Sequence, residues 1–263
     1  MQNKSKEKNF FDTFSTAREY DVFTAYGYKS LIRKYLKLIR IPVSPKTRII
    51  DLGCGTGAFT KKFWEIYGND KDFFGLDISE KSIRLATKLT PGVHFCTGDI
   101  EQCCFKDQSF DIVLFSGVLH HFTDFEPCLL EGYRILKNNG CVISYDPNIK
   151  NPFMWLYRHP SSPFFSRKGK TENERLLSAK QVNSSFRKAG FTNVMTPCIS
   201  GVTFKYVASA TGRFLLPFYN FFEILWGISP LASKYGSFII GYGEKIEDGR
   251  QMTEDRRQKT EDR

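Results

Sequence analysis

The chain has 263 residues, 41% of them hydrophobic and 25% charged, with a net charge of +10. That apolar share is enough for a sizeable core, so a single α/β domain is the first expectation. Seven cysteines, an odd number with no Cys-x-x-Cys pair and with Cys103 beside Cys104, argue against a disulfide framework or a metal site and read as small buried hydrophobes.

The polar, basic first residues carry no apolar stretch ending in a cleavage site, so a cytoplasmic location is expected. Positive charge concentrates between Lys4 and Arg48 and again over Lys150, Arg158, Arg167, Lys168, Lys170 and Arg175. It points to a nucleic acid, an anionic membrane surface or an acidic small molecule, beside plain solubilising charge.

Phe11, Phe14, Tyr20, Phe23, Tyr26 and Tyr28 lead into Leu31, Ile32, Tyr35, Leu36, Leu38 and Ile39, whose helical spacing gives one apolar face. Pro42 and Pro45 close that segment, and residues 1–44 are expected to cap a main domain over 45–247. Strand-length apolar runs then alternate with helical patterns. Strands are expected at 48–52, 73–77, 93–96, 111–115 and 141–145. Between them lie a helix over 58–67 with Phe59, Phe63 and Ile66 on one side, and a helix capped by Ser79 over Ile83, Ala86 and Leu89. A third helix is expected from Asp124 through Leu129, Leu130, Tyr133 and Leu136, ending at Asn139-Gly140. This alternation implies a doubly wound parallel sheet with helices on both faces.

Prolines, aromatics and basic residues break the pattern over 148–177, which is expected to be a lid or insertion. Ser178-Ala179-Lys180-Gln181 is a capping box for a helix with Val182, Phe186 and Ala189 inward and Gly190 at its end. Residues 191–199 and 237–242 read as the last strands, separated by an aromatic excursion over 200–236. The tail, 248–263, repeats Thr-Glu-Asp-Arg with almost no apolar residue and is expected to be disordered.

The segment RIIDLGCGTG, residues 48–57, is a short strand followed by alternating glycines that open a helix. Such a turn lets backbone approach a ligand, which implies a nucleotide cofactor at the strand's carboxyl end. A diphosphate would be repelled by Asp51, and the spacing is GxGxG rather than GxGxxG. A ligand with a cationic end fits better. S-adenosylmethionine has an ammonium for Asp51, ribose hydroxyls for Asp77 at the end of the second strand, and an adenine for Asp99 and Ile100 after the third.

The segments DLGCGTG, GLDIS, TGDIEQCCF, FDIVLFSGVLHHFTD and GCVISYDPN, in this order, resemble the class I S-adenosylmethionine-dependent methyltransferases, in particular the group that contains the ubiquinone and menaquinone methyltransferases. The resemblance covers about residues 45–150 and extends to the helix after Ser178. It implies a Rossmann-like, mainly parallel sheet of seven strands whose last strand, 237–242 here, is reversed. It also implies cofactor contacts at Asp51, Gly53, Cys54, Gly55 and Gly57, at Asp77 and Ile78, at Asp99 and Ile100, and at Ser116, Gly117 and Val118.

Other residues keep two readings. His120 and His121, as adjacent residues, are expected to point apart and to hold no metal, while His121 is either a base, a pocket wall or packing. Tyr145, Asp146 and His159 are candidates for the acceptor's proton, although in-line positioning alone can drive methyl transfer. Tyr20 either closes over the sulfonium or packs within the cap. The stretch 213–231 is rich in Phe, Leu and Trp but interrupted by Pro217, Asn220, Glu223, Gly227 and Pro230, which excludes a membrane-spanning helix. An acceptor pocket, a dimer face, a surface membrane contact and a packed extra helix all remain open for it. The expected function is methyl transfer to an oxygen, carbon or nitrogen of a small, lipophilic or lipid-linked acceptor. A nucleic-acid or protein methyltransferase is the first rival, although no Asn/Asp-Pro-Pro-Tyr/Phe signature occurs. A non-catalytic cofactor binder is the second.

Overall fold

A computed structural model of the chain describes residues 4–14, 21–68, 70–165, 171, 173–207 and 209–247. Tyr20, Arg167, Lys168, Lys170 and the tail with its repeated tetrapeptide lie outside the described residues. Among the described residues eight strands form one sheet: β1 (Arg48–Leu52), β2 (Asp72–Asp77), β3 (His94–Thr97), β4 (Phe110–Ser116), β5 (Leu136–Pro147), β6 (Thr192–Met195), β7 (Cys198–Ile199) and β8 (Phe238–Glu244). Their order is β3-β2-β1-β4-β5-β8-β6, with the two-residue β7 also paired to β8. The first five strands are parallel, and β8 runs antiparallel to both β5 and β6. The reversed strand therefore lies between β5 and β6, as expected for the resembled fold.

The central strands read as continuous apolar runs because both of their faces are covered. Successive side chains alternate between the faces. Ile50, Leu52, Val113, Phe115 and Val142 join one core with Leu129 of α5 (Glu126–Ile135) and with Val182 and Phe186 of α7 (Ala179–Lys188). Ile49, Ile112, Leu114 and Ile143 join the other with Leu31, Ile32 and Tyr35 of α2 (Ala25–Leu38) and with Phe59 and Phe63 of α3 (Ala58–Tyr67). Helix α4 (Glu80–Leu89) starts where the Ser79 hydroxyl accepts the Ser82 amide, and α7 where the Ser178 hydroxyl accepts the Gln181 amide. Each cap satisfies a donor that the helix itself leaves open.

The remaining helices are α1 (Lys4–Phe14), α6 (Pro152–Arg158), α8 (Ala210–Gly227) and α9 (Ala232–Tyr235). Several boundaries differ from the sequence expectation. Among the described residues of the N-terminal region are two helices, and Phe23, just before the second, makes an extended bridge with Phe204. Helix α5 stops at Ile135, since Leu136 already pairs with Phe110. Asn139, at φ 62°, then sits in a register shift inside β5 rather than at a helix end. Residues 191–199 split into β6 and β7, and Ile66 and Leu89 are exposed rather than inward. The aromatic stretch is mostly one helix, α8, which accommodates Pro217 in its interior.

Candidate functional site

The carboxyl ends of β1, β2 and β4 and the loop after β3 open into a cavity of about 280 Å³. Gly53, Cys54, Gly55, Asp77, Ile78, Asp99, Ile100, Ser116, Gly117 and Val118 line it, together with His121 and Tyr145. Asp51, Gly57 and Asp146 are not on its wall. Asp51 lies one step behind Gly53, and Gly57, at φ 74°, starts α3. His159 also lies off the wall; its ring stacks on Trp155 in the turn after α6.

The amides of the glycine turn are bonded within the protein. The amides of Gly53 and Cys54 donate to the Leu76 carbonyl at 2.7 and 3.1 Å, that of Gly55 to Asp77 Oδ2 at 2.9 Å, and that of Gly57 to the Cys54 carbonyl at 2.9 Å. These donors are already engaged by protein. What the turn requires is close approach: Gly53 has φ +76°, and a Cβ there would lie 2.4 Å from Cγ2 of Val118, a residue of the cavity wall. A residue with a side chain would be strained and would collide with Val118. Such a turn suits a ligand without a phosphate better than one that needs a nest of free amides.

Three carboxylates carry the polarity of this end. Asp51 is 1% exposed, accepts the Thr60 hydroxyl at 2.6 Å through Oδ2, and leaves Oδ1 buried without a partner. Burial pushes its pKa up to about 7, against the opposing effect of the Thr60 and Ser116 groups. Buried polar atoms are rarely left unpaired, so a donor or cation on the ligand side fits this oxygen, directly or through water. Asp77 accepts the Gly55 and Ser79 amides, each at 2.9 Å, and burial raises its pKa as well. Asp99 accepts the Glu101 amide at 2.9 Å and meets the Lys4 ammonium at 2.6 Å.

Helix α1 covers this end of the sheet. Lys4 also pairs with Glu101, and Asp12 accepts the hydroxyl of Ser79, the α4 cap, at 2.7 Å. Glu7 and Phe11 follow Lys4 at helical spacing, and with Phe10 they face the cavity. Phe23, Tyr28, Phe204, Phe238, Arg158 and Glu174 also line it. Sequence reasoning did not single out Glu7, Phe10, Glu174, Phe204 or Phe238 for this site. Each comes from a segment distant in sequence, and no local pattern marks it.

The two histidines occupy a single 3₁₀ turn, Leu119–His121. Their rings do not point apart as expected: the tight turn brings the centroids to 4.2 Å. His120, like His121, lines the cavity, and Asp146 Oδ1 accepts its amide at 3.0 Å and meets its Nδ1 at 3.0 Å. His121 Nδ1 meets the Thr171 hydroxyl at 3.1 Å. Burial lowers the pKa of both rings, only partly opposed at His121 by Glu174 and Glu7, so the His121 imidazole is neutral near pH 7. His120, His121 and Glu174 bring ligand atoms within 4.8 Å of one another, but Glu174 is ion-paired to Arg158, whose charge opposes a cation there. Burial raises the pKa of Tyr145 well above the ordinary phenol value, so it remains a phenol, and burial likewise raises that of Asp146.

A family model described as a methyltransferase domain matches residues 43–212, more than half of the chain. An uncharacterized protein of Methanocaldococcus jannaschii is 30% identical over 191 residues, 71% of this chain and 82% of that protein. A demethylmenaquinone methyltransferase of Staphylococcus saprophyticus is 25% identical over 223 residues, 76% of this chain and 94% of the relative. Among solved structures, an S-adenosylmethionine-dependent methyltransferase from Thermotoga maritima superposes with a TM-score of 0.59 at 22% identity, over 90% of this chain and 99% of that one. The sheet order, the glycine cradle and the family match agree, and the chain belongs to the S-adenosylmethionine-dependent methyltransferases.

Proposed function

We propose that this methyltransferase acts on a small lipophilic acceptor, at an oxygen, carbon or nitrogen. The observation that carries the reading is the composition of the cavity: carboxylates line the strand ends, while Phe10, Phe11, Phe23, Phe204 and Phe238 form walls suited to an apolar molecule. Relatives named demethylmenaquinone methyltransferases support a quinone-like acceptor.

When bound, S-adenosylmethionine supplies a methyl group on a cationic sulfur. On this reading Asp51 is the counter-charge for its ammonium, Asp77 the acceptor for its ribose hydroxyls and Asp99 the acceptor for its adenine amino group. The neutral His121 imidazole, on the cavity wall, takes the acceptor's proton. Asp146 acts through His120: by holding both the amide and the ring of that residue it fixes the turn that presents His121. Tyr145 contributes an aromatic wall.

The test supplies methyl-labelled S-adenosylmethionine with a cell lipid extract, with RNA and with protein in separate reactions. Label is expected in the organic phase; label confined to RNA or protein overturns the reading. With the lipid acceptor, His121→Ala should lower kcat about 100-fold while the donor's KM stays unchanged.

A further inference from the structure

We propose that α8 is an interfacial anchor that seats the protein on an anionic lipid bilayer. The family match ends at residue 212, so the outward face of this helix lies beyond the matched domain. Its polarity is inverted. The hydrogen-bonding side chains turn toward the body: Glu223 accepts the Gly201 amide at 3.0 Å and the Ser237 hydroxyl at 2.8 Å. Asn220 holds both the amide and the carbonyl of Phe204, at 2.9 and 2.7 Å.

Beyond exposed Arg213 in its first turn, the solvent side is hydrocarbon. Phe214, Phe218, Phe221, Leu225 and Ile228 are 75%, 60%, 60%, 46% and 84% exposed. At 3.6 residues per turn the exposed apolar positions cover about half of the helix circumference, and that arc contains no charged side chain. A soluble surface rarely leaves so continuous an apolar face uncovered. Among the described residues no helix is long and apolar enough to cross a membrane, and the buried Glu223 ties α8 to the sheet, so the helix lies along the surface.

Two observations favour a bilayer over a second copy of the chain. A copy would bring another +10 of charge, whereas anionic headgroups attract it. Exposed Lys234 follows α8 in α9, and exposed Lys150 lies in the neighbouring segment, which Asn148 joins to the Gly236 carbonyl at 2.8 Å. Helix α2 adds exposed Lys29, Arg33 and Lys37, and the Tyr26 end of that helix reaches the Gly201 turn against which Gly227 of α8 packs. Further, protein interfaces carry about one hydrogen bond per 100–200 Å². Phe214, Phe218, Phe221, Leu225 and Ile228 have no side-chain donor or acceptor to make one. Phe204, held by Asn220, lines the cavity, so the anchored helix also backs the wall of the acceptor site.

The experiment floats the full chain with phosphatidylcholine vesicles, with and without phosphatidylglycerol, and requires no acceptor. Its outcome is therefore separable from the proposed reaction. Binding is expected with the anionic vesicles and should weaken in high salt. Phe218→Glu with Phe221→Glu should reduce the bound fraction at least about tenfold at unchanged S-adenosylhomocysteine affinity, which reports an intact fold. In Phe218→Trp, the emission should shift to the blue on vesicles and be quenched by lipids labelled in the acyl chain. Absence of wild-type flotation, absence of that blue shift, or a dimer in sedimentation equilibrium dispersed by the two glutamates would overturn the proposal.

Discussion

Asp51 beneath the glycine turn and Glu223 in α8 are both buried carboxylates pushed by burial up to about 7, and each keeps one oxygen without a partner. Their surroundings differ. Asp51 lies behind a glycine turn that lines the cavity, at the end of a strand whose neighbour β2 ends in Asp77. Glu223 is closed in by the 201–204 segment and Ser237, where its bonds fasten a helix. An unpaired buried oxygen points to a ligand only where the backbone leaves room for one. Elsewhere its ionisation is a cost borne for attachment.

That contrast can be broken most sharply at the cofactor end. Asp77→Ala removes the proposed ribose acceptor and strands the Gly55 and Ser79 amides. With hydrogen bonds to charged groups contributing about 1.5–3 kcal/mol, calorimetry should show S-adenosylhomocysteine binding weakened about 100-fold. Unchanged affinity would detach this end of the sheet from the ligand.

A smaller effect separates the two raised carboxyls. If Asp51 must be ionised to face the ammonium, cofactor affinity should fall about tenfold for each pH unit below 7. Asp51→Asn should give a flat and weaker profile, and Glu223→Gln the wild-type one. Loss of the pH dependence in Glu223→Gln would merge the two regions.

The smallest effect is on stability. Both carboxyls hold their protons more tightly folded than unfolded. Their contribution is therefore complete below the ordinary carboxyl value near 4 and is lost as pH rises through about 7. In urea unfolding, Glu223→Gln should raise stability by about 1 kcal/mol at pH 8 relative to wild type and leave pH 4 nearly unchanged. A variant that is destabilised at pH 8 would show the ionised carboxylate to be the better anchor.

The cofactor end was readable because its determinants are local. A strand, a glycine turn and a helix appear as consecutive residues, and Asp77 and Asp99 follow at the next two strand ends. The acceptor end was not. Glu7 meets Asn173, Arg158 meets Glu174, and Phe204 meets Phe23, in pairs of which two join segments more than 150 residues apart. His120 and His121 misled for a related reason: adjacency suggested divergence, but the 3₁₀ turn, tied to Asp146, brings their rings together at a tilt. The aromatic excess of 213–231 was plain in the sequence, while the side of the helix left in solvent was not.

From the chain alone came the alternation of strands and helices, the reversed last strand inferred by resemblance, and the class of cofactor, because these depend on period, turn stereochemistry and charge sign over a few neighbouring residues. Packing decided that Asp51 lies behind the cavity wall, that α1 lays Lys4 onto Asp99, and that α8 turns Asn220 and Glu223 inward with its phenylalanines outward. Such outcomes follow from which distant surfaces bury one another, and no short stretch of sequence encodes that competition.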